Sequence, residues 1–242
     1  MFLGVDGCKA GWVAASISNN NKIEITVFKN ITELWERFQR ANLIFIDIPI
    51  GLVDAFSKEK VRNCDIEARK ILGPKRGSSI FPAPSREATH ALNYKDACEK
   101  NKLITGKEIS IQTWNISKKI KEVENFLLKT KKTNYIIKES HPELCFYALS
   151  KSPMVFSKKN INGIFERKNV LKKFIPDLDF ILERGLSKYN KSQVNIDDLL
   201  DCLALAVSAE LAFKSGNISR IPEIEQIDSE GFVMEISYFE IS

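Results

Sequence analysis

The sequence predicts an α/β fold in which a sheet of mixed strand direction is flanked by helices, with a largely helical insertion after the fourth strand. Three observations predict it. Three short segments rich in Val, Ile and aromatic residues open the chain and are separated by turn residues. A near-continuous apolar run follows the first helical pattern, as expected of a strand that is buried on both faces. Strand patterns then alternate with helical patterns, which is typical of such a sheet.

The opening segments Phe2–Asp6, Trp12–Ser18 and Lys22–Phe28 predict the first three strands. Turn-forming residues separate them, at Asp6-Gly7 and at the three asparagines of positions 19–21. Because these connections are short, we expect two consecutive hairpins.

A first helix is predicted to begin at Thr32, a residue type that caps helix N-termini, and to carry Leu34, Trp35 and Phe38. The run Leu43–Ile48 then predicts the fourth strand. Its lack of polar alternation indicates a strand that is buried on both faces.

Residues 53–133 have mostly helical patterning and predict the insertion. The pattern is broken by the Gly- and Pro-containing turn at residues 73–79, and again by Pro82 and Pro84. Strand patterns lie on both sides of this segment, so we expect one domain over residues 1–242 that contains it.

Beyond the insertion, Tyr135–Glu139 predicts a fifth strand, and Pro142 fits the first turn of the helix that follows. Residues 151–190 are predicted to be irregular and basic, with short helical pieces. The clearest helix is Asn195–Phe213, which has a capping residue type, an acidic first turn and an apolar stripe. Phe232–Tyr238 predicts the last strand.

Composition narrows the classes of protein. With 242 residues, 44% of them hydrophobic, the chain can bury one sizeable core. Neither a membrane-spanning run nor a signal peptide is recognisable, which predicts a cytoplasmic protein with no membrane association. The five cysteines are scattered and the chain has two histidines. A disulfide framework or a zinc site is therefore not expected, and any metal would be a hard, oxygen-liganded one.

The net charge of +5 is concentrated in one segment. Residues 95–134 contain ten lysines and five acidic residues, which is a local excess of +5. Such a segment suits a polyanionic partner such as nucleic acid. A solvated helix face is the alternative interpretation, and the sequence alone leaves both open.

Five acidic residues are poorly placed for ordinary structure. Asp6 follows an apolar strand, Asp47 lies between two isoleucines, and Glu139 ends the fifth strand. Asp198 and Asp201 are three residues apart and share one face of the last helix. Buried carboxylates need a partner, and several together need a cation. The set therefore predicts a Mg²⁺ or Mn²⁺ site.

Simpler roles exist for most of these acids. Asp6 could shape the first turn, Asp198 could interact with the helix dipole, and Glu139 could pair with Lys138. Asp47 has no comparable structural task in a buried strand. The metal-site hypothesis depends on the five acids acting as a set.

Several motifs resemble those of a known family, in the same order and over nearly the whole chain. They are Gly4-Val5-Asp6-Gly7, Gly11-Trp12-Val13, Ile46-Asp47-Ile48-Pro49-Ile50-Gly51-Leu52, Cys64-Asp65, Ala68-Arg69, Arg76-Gly77-Ser78-Ser79-Ile80-Phe81, Pro84-Ser85-Arg86, Ile111-Gln112-Thr113-Trp114, Glu139-Ser140-His141-Pro142-Glu143-Leu144-Cys145-Phe146, Asp197-Asp198-Leu199-Leu200-Asp201-Cys202-Leu203-Ala204 and Gly231–Tyr238. The chain resembles the uncharacterised family of predicted RNase-H-like nucleases, a domain-of-unknown-function family of bacteria and archaea. Cys202 is one departure, since the family pattern has alanine there.

The resemblance implies a single RNase-H-like domain. It implies that Asp6 lies on the first strand and Asp47 on the fourth, with Asp198 and Asp201 facing them from the last helix, much as in Holliday-junction resolvases. Glu139 on the fifth strand would add a further ligand. Shared fold alone does not establish shared activity.

The remaining motif residues fit a pocket for a phosphate-bearing substrate. Its predicted substrate-binding residues are Arg69, Arg76, Ser78, Ser79, Arg86 and Glu143. Arginines bind phosphate oxygens in bidentate fashion, and hydroxyls and backbone N–H groups of a turn bind the same anion. His141, beside Glu143, is the predicted proton shuttle. Ion pairs for the arginines and helix capping for His141 are the alternatives.

Three functions are compatible with these observations. The first is a metal-dependent nuclease that hydrolyses phosphodiester bonds by metal-activated water, with Asp6, Asp47, Glu139, Asp198, Asp201 and His141 as the predicted catalytic residues. The second is a non-catalytic protein on the same fold that binds nucleic acid or another partner. The third is a phosphotransferase of the actin and sugar-kinase type, against which stands the lack of any Gly-x-Gly sequence.

Overall fold

Five strands form the main sheet in the computed structural model, which describes residues 1–130 and 135–240. They are β1 (Phe2–Cys8), β2 (Gly11–Ile17), β3 (Ile23–Phe28), β4 (Leu43–Ile46) and β5 (Ile137–Glu139). Their order across the sheet is β3-β2-β1-β4-β5. The two hairpins are antiparallel, whereas β1, β4 and β5 run parallel to one another. The predicted mixed α/β architecture is confirmed.

Helices make up most of the rest of the chain. They are α1 (Ile31–Phe38), α2 (Asn63–Arg76), α3 (Arg86–Thr89), α4 (Tyr94–Thr105), α5 (Ile111–Lys129), α6 (Pro142–Ser150), α7 (Ile161–Leu171), α8 (Leu178–Lys188) and α9 (Ile196–Ser215). A 3₁₀ turn, Gly77–Ser79, follows α2. Two short strands, β6 (Ser219–Ile221) and β7 (Ile236–Tyr238), pair in a separate sheet.

The chain divides into two compact units. Among the described residues, the first unit contains 1–47, 135–219 and 237–240, and the second contains 48–130 and 220–236. The first unit therefore holds the main sheet, and the second holds α2 to α5. Residues 131–134, at the end of the predicted helical insertion, lie outside the described part. A single domain over the whole chain stays a prediction.

Helix α9 lies directly against the main sheet, where it contacts β1, β2 and β4. Acidic residues in its first turn and Gly216 at its C-cap (φ +68°) set its two ends. Gly4 on β1 allows the close approach. A Cβ atom at position 4 would lie 2.0 Å from the carbonyl oxygen of Cys202 and 2.3 Å from the nitrogen of Ala206. The helix backbone thus rests on the strand backbone.

Several element boundaries differ from those predicted. Helix α1 is capped by Asn30, whose side chain accepts a 2.9 Å bond from Glu33 N, and Thr32 lies inside the helix. Strand β1 continues through the predicted Asp6-Gly7 turn to Cys8, because Asp6 pairs with Val13 in the ladder.

The C-terminal half shows further differences. Residues 151–190, predicted to be irregular with short helical pieces, contain the two 11-residue helices α7 and α8. The predicted strand Phe232–Tyr238 is regular only from Ile236, and β7 pairs with β6 outside the main sheet. None of the described helices is both long and apolar enough to cross a membrane.

Candidate functional site

Asp6 and Asp47 are neighbours across the junction of β1 and β4. Val5 is aligned with Ile46 in the parallel ladder, and Asp47 N donates a 2.9 Å hydrogen bond to the Val5 carbonyl. The next residue on each strand is an aspartate. Since side chains alternate between the two faces of a sheet, these aspartates project from the face opposite to that of Val5 and Ile46. Gly4, two residues before Asp6, shows that this face is covered by α9.

Helix α9 contributes two more carboxylates to the same place. Asp201 immediately precedes Cys202, whose carbonyl lies over Gly4, and it is 2% exposed. Asp198 lies one turn earlier and is partly exposed, and its Oδ2 accepts a 2.8 Å bond from the backbone nitrogen of Asn195. Helix α9 thus carries these two acids on the part of the sheet face from which Asp6 and Asp47 project. We call Asp6, Asp47, Asp198 and Asp201 the carboxylate cluster.

The members of the carboxylate cluster are close enough to influence one another's ionisation. Burial raises the pKa of Asp6 well above its ordinary value, and the charges of Asp47 and Asp201 raise it further. Burial also raises the pKa of Asp47, although His141 and Lys158 act in the opposite direction. Burial likewise raises the pKa of Asp198. The cluster therefore carries more negative charge than its surroundings readily accommodate.

A lysine that the sequence did not single out lies in the cluster. Lys158 Nζ donates a 2.6 Å bond to Asp201 Oδ2. Burial alone would lower the pKa of Lys158, but the charges of Asp201 and Asp6 outweigh it and raise the pKa. Lys158 is therefore a permanently charged counter-ion for the acids.

Helix α6 presents two of the predicted residues to the cluster. His141 is the N-cap of α6, and its Nδ1 accepts a 3.2 Å bond from Glu143 N. The capping role weighed for His141 is therefore real. With Nδ1 engaged as an acceptor, the neutral ring carries its proton on Nε2. Both His141 and Glu143 lie near enough to Asp47 to affect its pKa, which His141 lowers and Glu143 raises.

Glu143 is held by a buried arginine. Its Oε1 pairs with Arg167 Nη2, and Arg167 is 0% exposed. Its other oxygen, Oε2, is buried and has no hydrogen-bond partner among the described residues. A buried carboxylate oxygen without a donor is unusual, because such an atom forfeits its hydration.

Glu139 projects away from the carboxylate cluster. It is aligned with Ile46, which is aligned with Val5, so its side chain lies on the same face of the sheet as theirs. Asp6 and Asp47 project from the other face. The structure thus brings four of the five predicted acids together and separates Glu139 from them.

The predicted substrate-binding residues outside α6 lie in the second unit. Arg69 donates from Nε and Nη2 to the carbonyl oxygen of Ile80, at 2.8 and 2.6 Å. Arg76 is in the last turn of α2 and is partly buried. Ser78 and Ser79 form the 3₁₀ turn, with Ser78 exposed and Ser79 partly exposed. Arg69 thus supports its own loop.

Arg86 is surrounded by carboxylates of the same unit. Its Nε donates to Glu124 Oε1 at 2.9 Å, Nη1 to Asp54 Oδ2 at 2.6 Å, and Nη2 to Asp228 Oδ2. Nη1 also donates to Ser229. Every nitrogen of this guanidinium therefore has an internal partner, which corresponds to the ion-pair alternative weighed for the arginines.

The donor set of the cluster determines what it could hold. Its ligating atoms are carboxylate oxygens, the ligands preferred by Mg²⁺ and Mn²⁺. Four acids face one lysine, which leaves an excess of negative charge in a mostly buried place. The donor type of the carboxylate cluster is therefore that of a hard divalent cation.

Sequence reasoning missed Lys158 and Arg167, which complete the site. Lys158 is one of 36 basic residues, and nothing in its local sequence separates it from exposed lysines. Arg167 follows Glu166 and precedes Lys168, a pattern typical of a solvated helix surface. Their roles arise from contacts with residues 43 and 24 positions away. The sequence held no usable signal for either.

The fold and the cluster define an α/β protein with an acidic, oxygen-donor centre on its main sheet. The chain belongs to the family described as protein of unknown function DUF429, whose family profile matches residues 4–226. Comparison with curated proteins and with solved structures gives no match. The family description states no activity, so function is inferred from the chemistry of the site.

Proposed function

We propose that the protein is a metal-dependent phosphodiesterase of RNase-H-like fold that acts on nucleic acid. One observation carries the proposal. Asp6, Asp47 and Asp201 come from two adjacent strands and a helix; besides burial, the charges of Asp47 and Asp201 raise the pKa of Asp6, and the charge of Asp201 raises that of Asp47. The strand order β3-β2-β1-β4-β5, with two antiparallel hairpins followed by parallel strands, supports the fold assignment.

The acids of the carboxylate cluster would hold Mg²⁺ or Mn²⁺ through their oxygens. When bound, such a cation supplies a Lewis acid that activates water and offsets charge on the phosphate. Asp6 and Asp47 are fixed by the strand ladder, and Asp201 by the contact of α9 with β1. Rigid elements of this kind hold ligands in place better than loops do.

Two neighbouring residues have complementary tasks. His141 is fixed through Nδ1, so its Nε2 is the atom that would take or deliver a proton. Lys158 supplies a positive charge that would attract the phosphate of a substrate to the acidic centre. The proposal thus assigns separate residues to binding the cation, moving protons and balancing charge.

The polymeric substrate is supported by surface charge in the second unit. The described lysines of residues 95–130 are exposed or partly exposed on α4, α5 and their connection. Two of them, Lys100 and Lys102, pair with acids of their own segment. The excess of lysines over acidic residues in this segment suits a phosphate backbone. A free phosphate-bearing metabolite is the alternative substrate.

The test compares Asp47→Asn with the intact protein on labelled single-stranded, double-stranded and branched DNA and on RNA. Both Mg²⁺ and Mn²⁺ are supplied. We expect the intact protein to cleave at least one of these substrates. The cleavage rate of Asp47→Asn should be at least about 100-fold lower, because general acid–base catalysis and metal-ion catalysis each contribute on this scale. Circular dichroism confirms that the variant is folded.

Asp197→Asn is the matched control. Asp197 lies in the same first turn of α9 as Asp198 but is not a member of the carboxylate cluster. Its rate should stay within about threefold of the intact protein. Equal cleavage by Asp47→Asn and the intact protein would rule out this site, and the lack of cleavage by either on every substrate would reject the nuclease proposal.

A non-catalytic binding protein is the second candidate, and one observation favours it. Lys158 already pairs with the most buried acid of the cluster, so the site has a counter-ion of its own. In that case the protein should retard DNA or RNA in gels equally with EDTA and with Mn²⁺, without cleavage. Retardation of DNA or RNA that occurs with Mn²⁺ but not with EDTA would instead favour the metal-dependent enzyme.

A further inference from the structure

Lys158 lies where a cation is expected. Its ammonium donates to Asp201 Oδ2 at 2.6 Å, and its charge also acts on Asp6 and Asp47. Its side chain is 38% exposed, whereas that of Asp201 is 2% exposed. The ammonium group therefore enters a buried acidic centre from the solvent side.

The backbone that carries Lys158 is fixed to α7. The backbone nitrogens of Val155 and Phe156 donate to the Glu166 carboxylate at 2.7 and 3.0 Å. Arg167 Nη1 donates to the carbonyl oxygen of Phe156 at 3.1 Å. The lysine side chain has four rotatable bonds beyond this anchored backbone. It can leave Asp201 without movement of the loop.

A second observation concerns a buried carboxylate beside the centre. Glu143 is 5% exposed, its charge acts on Asp47, and its Oε2 has no hydrogen-bond donor among the described residues. A divalent cation held by the carboxylate cluster would offset the negative charge of Glu143 as well as that of the cluster. One ammonium group, paired with Asp201, cannot offset all of these charges.

We propose that the Lys158 ammonium occupies a cation position of the carboxylate cluster and is displaced when a divalent cation binds. The inference rests on the proposed function, since it concerns the same centre. Lys158 then competes with the cation for Asp201. A doubly charged ion interacts with the acids more strongly than an ammonium group does, so it prevails once its concentration is sufficient.

Competition would make the centre selective. Monovalent ions carry the same charge as the lysine and gain nothing by replacing it. Without a divalent cation, the lysine stays paired with Asp201 and offsets part of the negative charge of the cluster. The site would therefore assemble only when Mg²⁺ or Mn²⁺ is present.

The experiment is a calorimetric Mn²⁺ titration of the intact protein, Lys158→Met and the control Lys159→Met. Lys159 is the adjacent exposed lysine and has no partner in the cluster. We expect Mn²⁺ to bind Lys158→Met at least about tenfold more tightly than the intact protein, because the competing charge is gone. Lys159→Met should match the intact protein.

The outcomes separate this inference from the proposed function. If the intact protein binds Mn²⁺ and Lys158→Met binds it equally or more weakly, Lys158 does not compete with the cation. The metal-dependent activity then still stands as a proposal. Binding by Lys158→Met alone supports the competition and rejects a metal-dependent activity of the intact protein. No binding by any of the three overturns both.

Thermal unfolding gives a second readout that does not depend on activity. Without metal, Lys158→Met should unfold at a lower temperature than Lys159→Met, because the acids lose their counter-ion. Saturating Mn²⁺ should raise its Tm by more than it raises that of the intact protein. An equal Mn²⁺-induced rise in both contradicts the inference. If Lys158→Met does not fold, Lys158→Gln removes the charge but keeps a donor for Asp201.

Discussion

The buried guanidinium of Arg167 on α7 pairs with the Glu143 carboxylate at the start of α6. The same guanidinium donates from Nη1 to the carbonyl oxygens of Phe156 and Gly163, at 3.1 and 3.0 Å. One side chain thus fixes both Glu143 on α6 and the backbone segment that leads to Lys158. Arg167 is a positioning residue for both sides of the carboxylate cluster.

Removal of Arg167 should be strongly destabilising. Arg167→Met leaves the Glu143 charge buried without its partner, and we expect the free energy of unfolding to fall by about 3–5 kcal/mol. Urea unfolding followed by circular dichroism measures the change. Lys168→Met is the control, because Lys168 pairs with the exposed Asp179 and should lose less than about 1 kcal/mol.

A double variant tests the cause of that loss. Glu143→Gln combined with Arg167→Met removes both charges, so it should recover at least about 1 kcal/mol relative to Arg167→Met alone. A double variant no more stable than Arg167→Met would mean that Arg167 acts through its backbone contacts rather than through Glu143.

The close contact of Gly163 with the preceding loop gives a second prediction. A Cβ atom at position 163 would lie 2.0 Å from the carbonyl oxygen of Ser157, so Gly163→Ala must displace the residue next to Lys158. We expect weaker pairing of Lys158 with Asp201 and a loss of stability of about 1–3 kcal/mol. The measurement is urea unfolding without metal.

Asn162→Ala is the neighbouring control, since residue 162 is exposed in the same turn. It should change stability by less than about 0.5 kcal/mol. If Gly163→Ala behaves like the control, the loop accommodates a methyl group and its position does not depend on Gly163.

Local patterns were sufficient to predict the main sheet. The hairpins of β1 to β3 follow from short apolar segments with turn residues between them, and β4 follows from its continuous apolar run. The positions of Asp6 and Asp47 could be predicted together with these strands, because Asp6 lies on β1 and Asp47 comes directly after β4. Helices α7 and α8 were predicted only as short helical pieces, and their 11-residue lengths were not, since their buried residues do not form a continuous apolar stripe.

Contacts between distant residues could not be predicted. The face on which Glu139 lies depends on the register of β5 against β4, and no local signal sets that register. Arg86 pairs with acids 32, 38 and 142 positions away. A sequence shows that a charge is present but not which partner folding brings to it.

Arg86 provides a third prediction, which separates a structural from a substrate-binding role. Arg86→Met leaves Asp54, Glu124 and Asp228 without their shared cation, and all three are largely buried. We expect a loss of about 3–5 kcal/mol in the free energy of unfolding. Lys102→Met, which removes an exposed lysine of the same unit, should lose less than about 1 kcal/mol.

Binding measurements then complete the Arg86 test. If Arg86 has only a structural role, the Arg86→Met variant, measured at a low temperature at which it is folded, should bind phosphate-bearing substrates with unchanged affinity. A stable variant with at least about tenfold weaker substrate binding would instead support the phosphate-binding role predicted from sequence.

The raised pKa of Asp6 gives a pH dependence of defined sign. Burial and the charges of Asp47 and Asp201 raise it in the folded protein, whereas in the unfolded chain it is about 3.9. Above about pH 4 the folded protein therefore keeps a proton that the unfolded chain releases. Stability of the metal-free protein should fall as the pH rises from this value through the folded pKa.

Asp6→Asn should reduce that dependence, because asparagine does not ionise and fills the same space. We expect the variant to exceed the intact protein in stability by on the order of 1 kcal/mol at pH 7 and to approach it near pH 4, as measured by urea unfolding in EDTA. Asp179→Asn should change the pH dependence of stability in the opposite direction, because hydrogen bonds from Lys168 and Lys172 lower the pKa of Asp179. Parallel pH profiles for Asp6→Asn and the intact protein would show that Asp6 is ionised in both the folded and the unfolded state, and the excess negative charge of the cluster would then have to be balanced by other means.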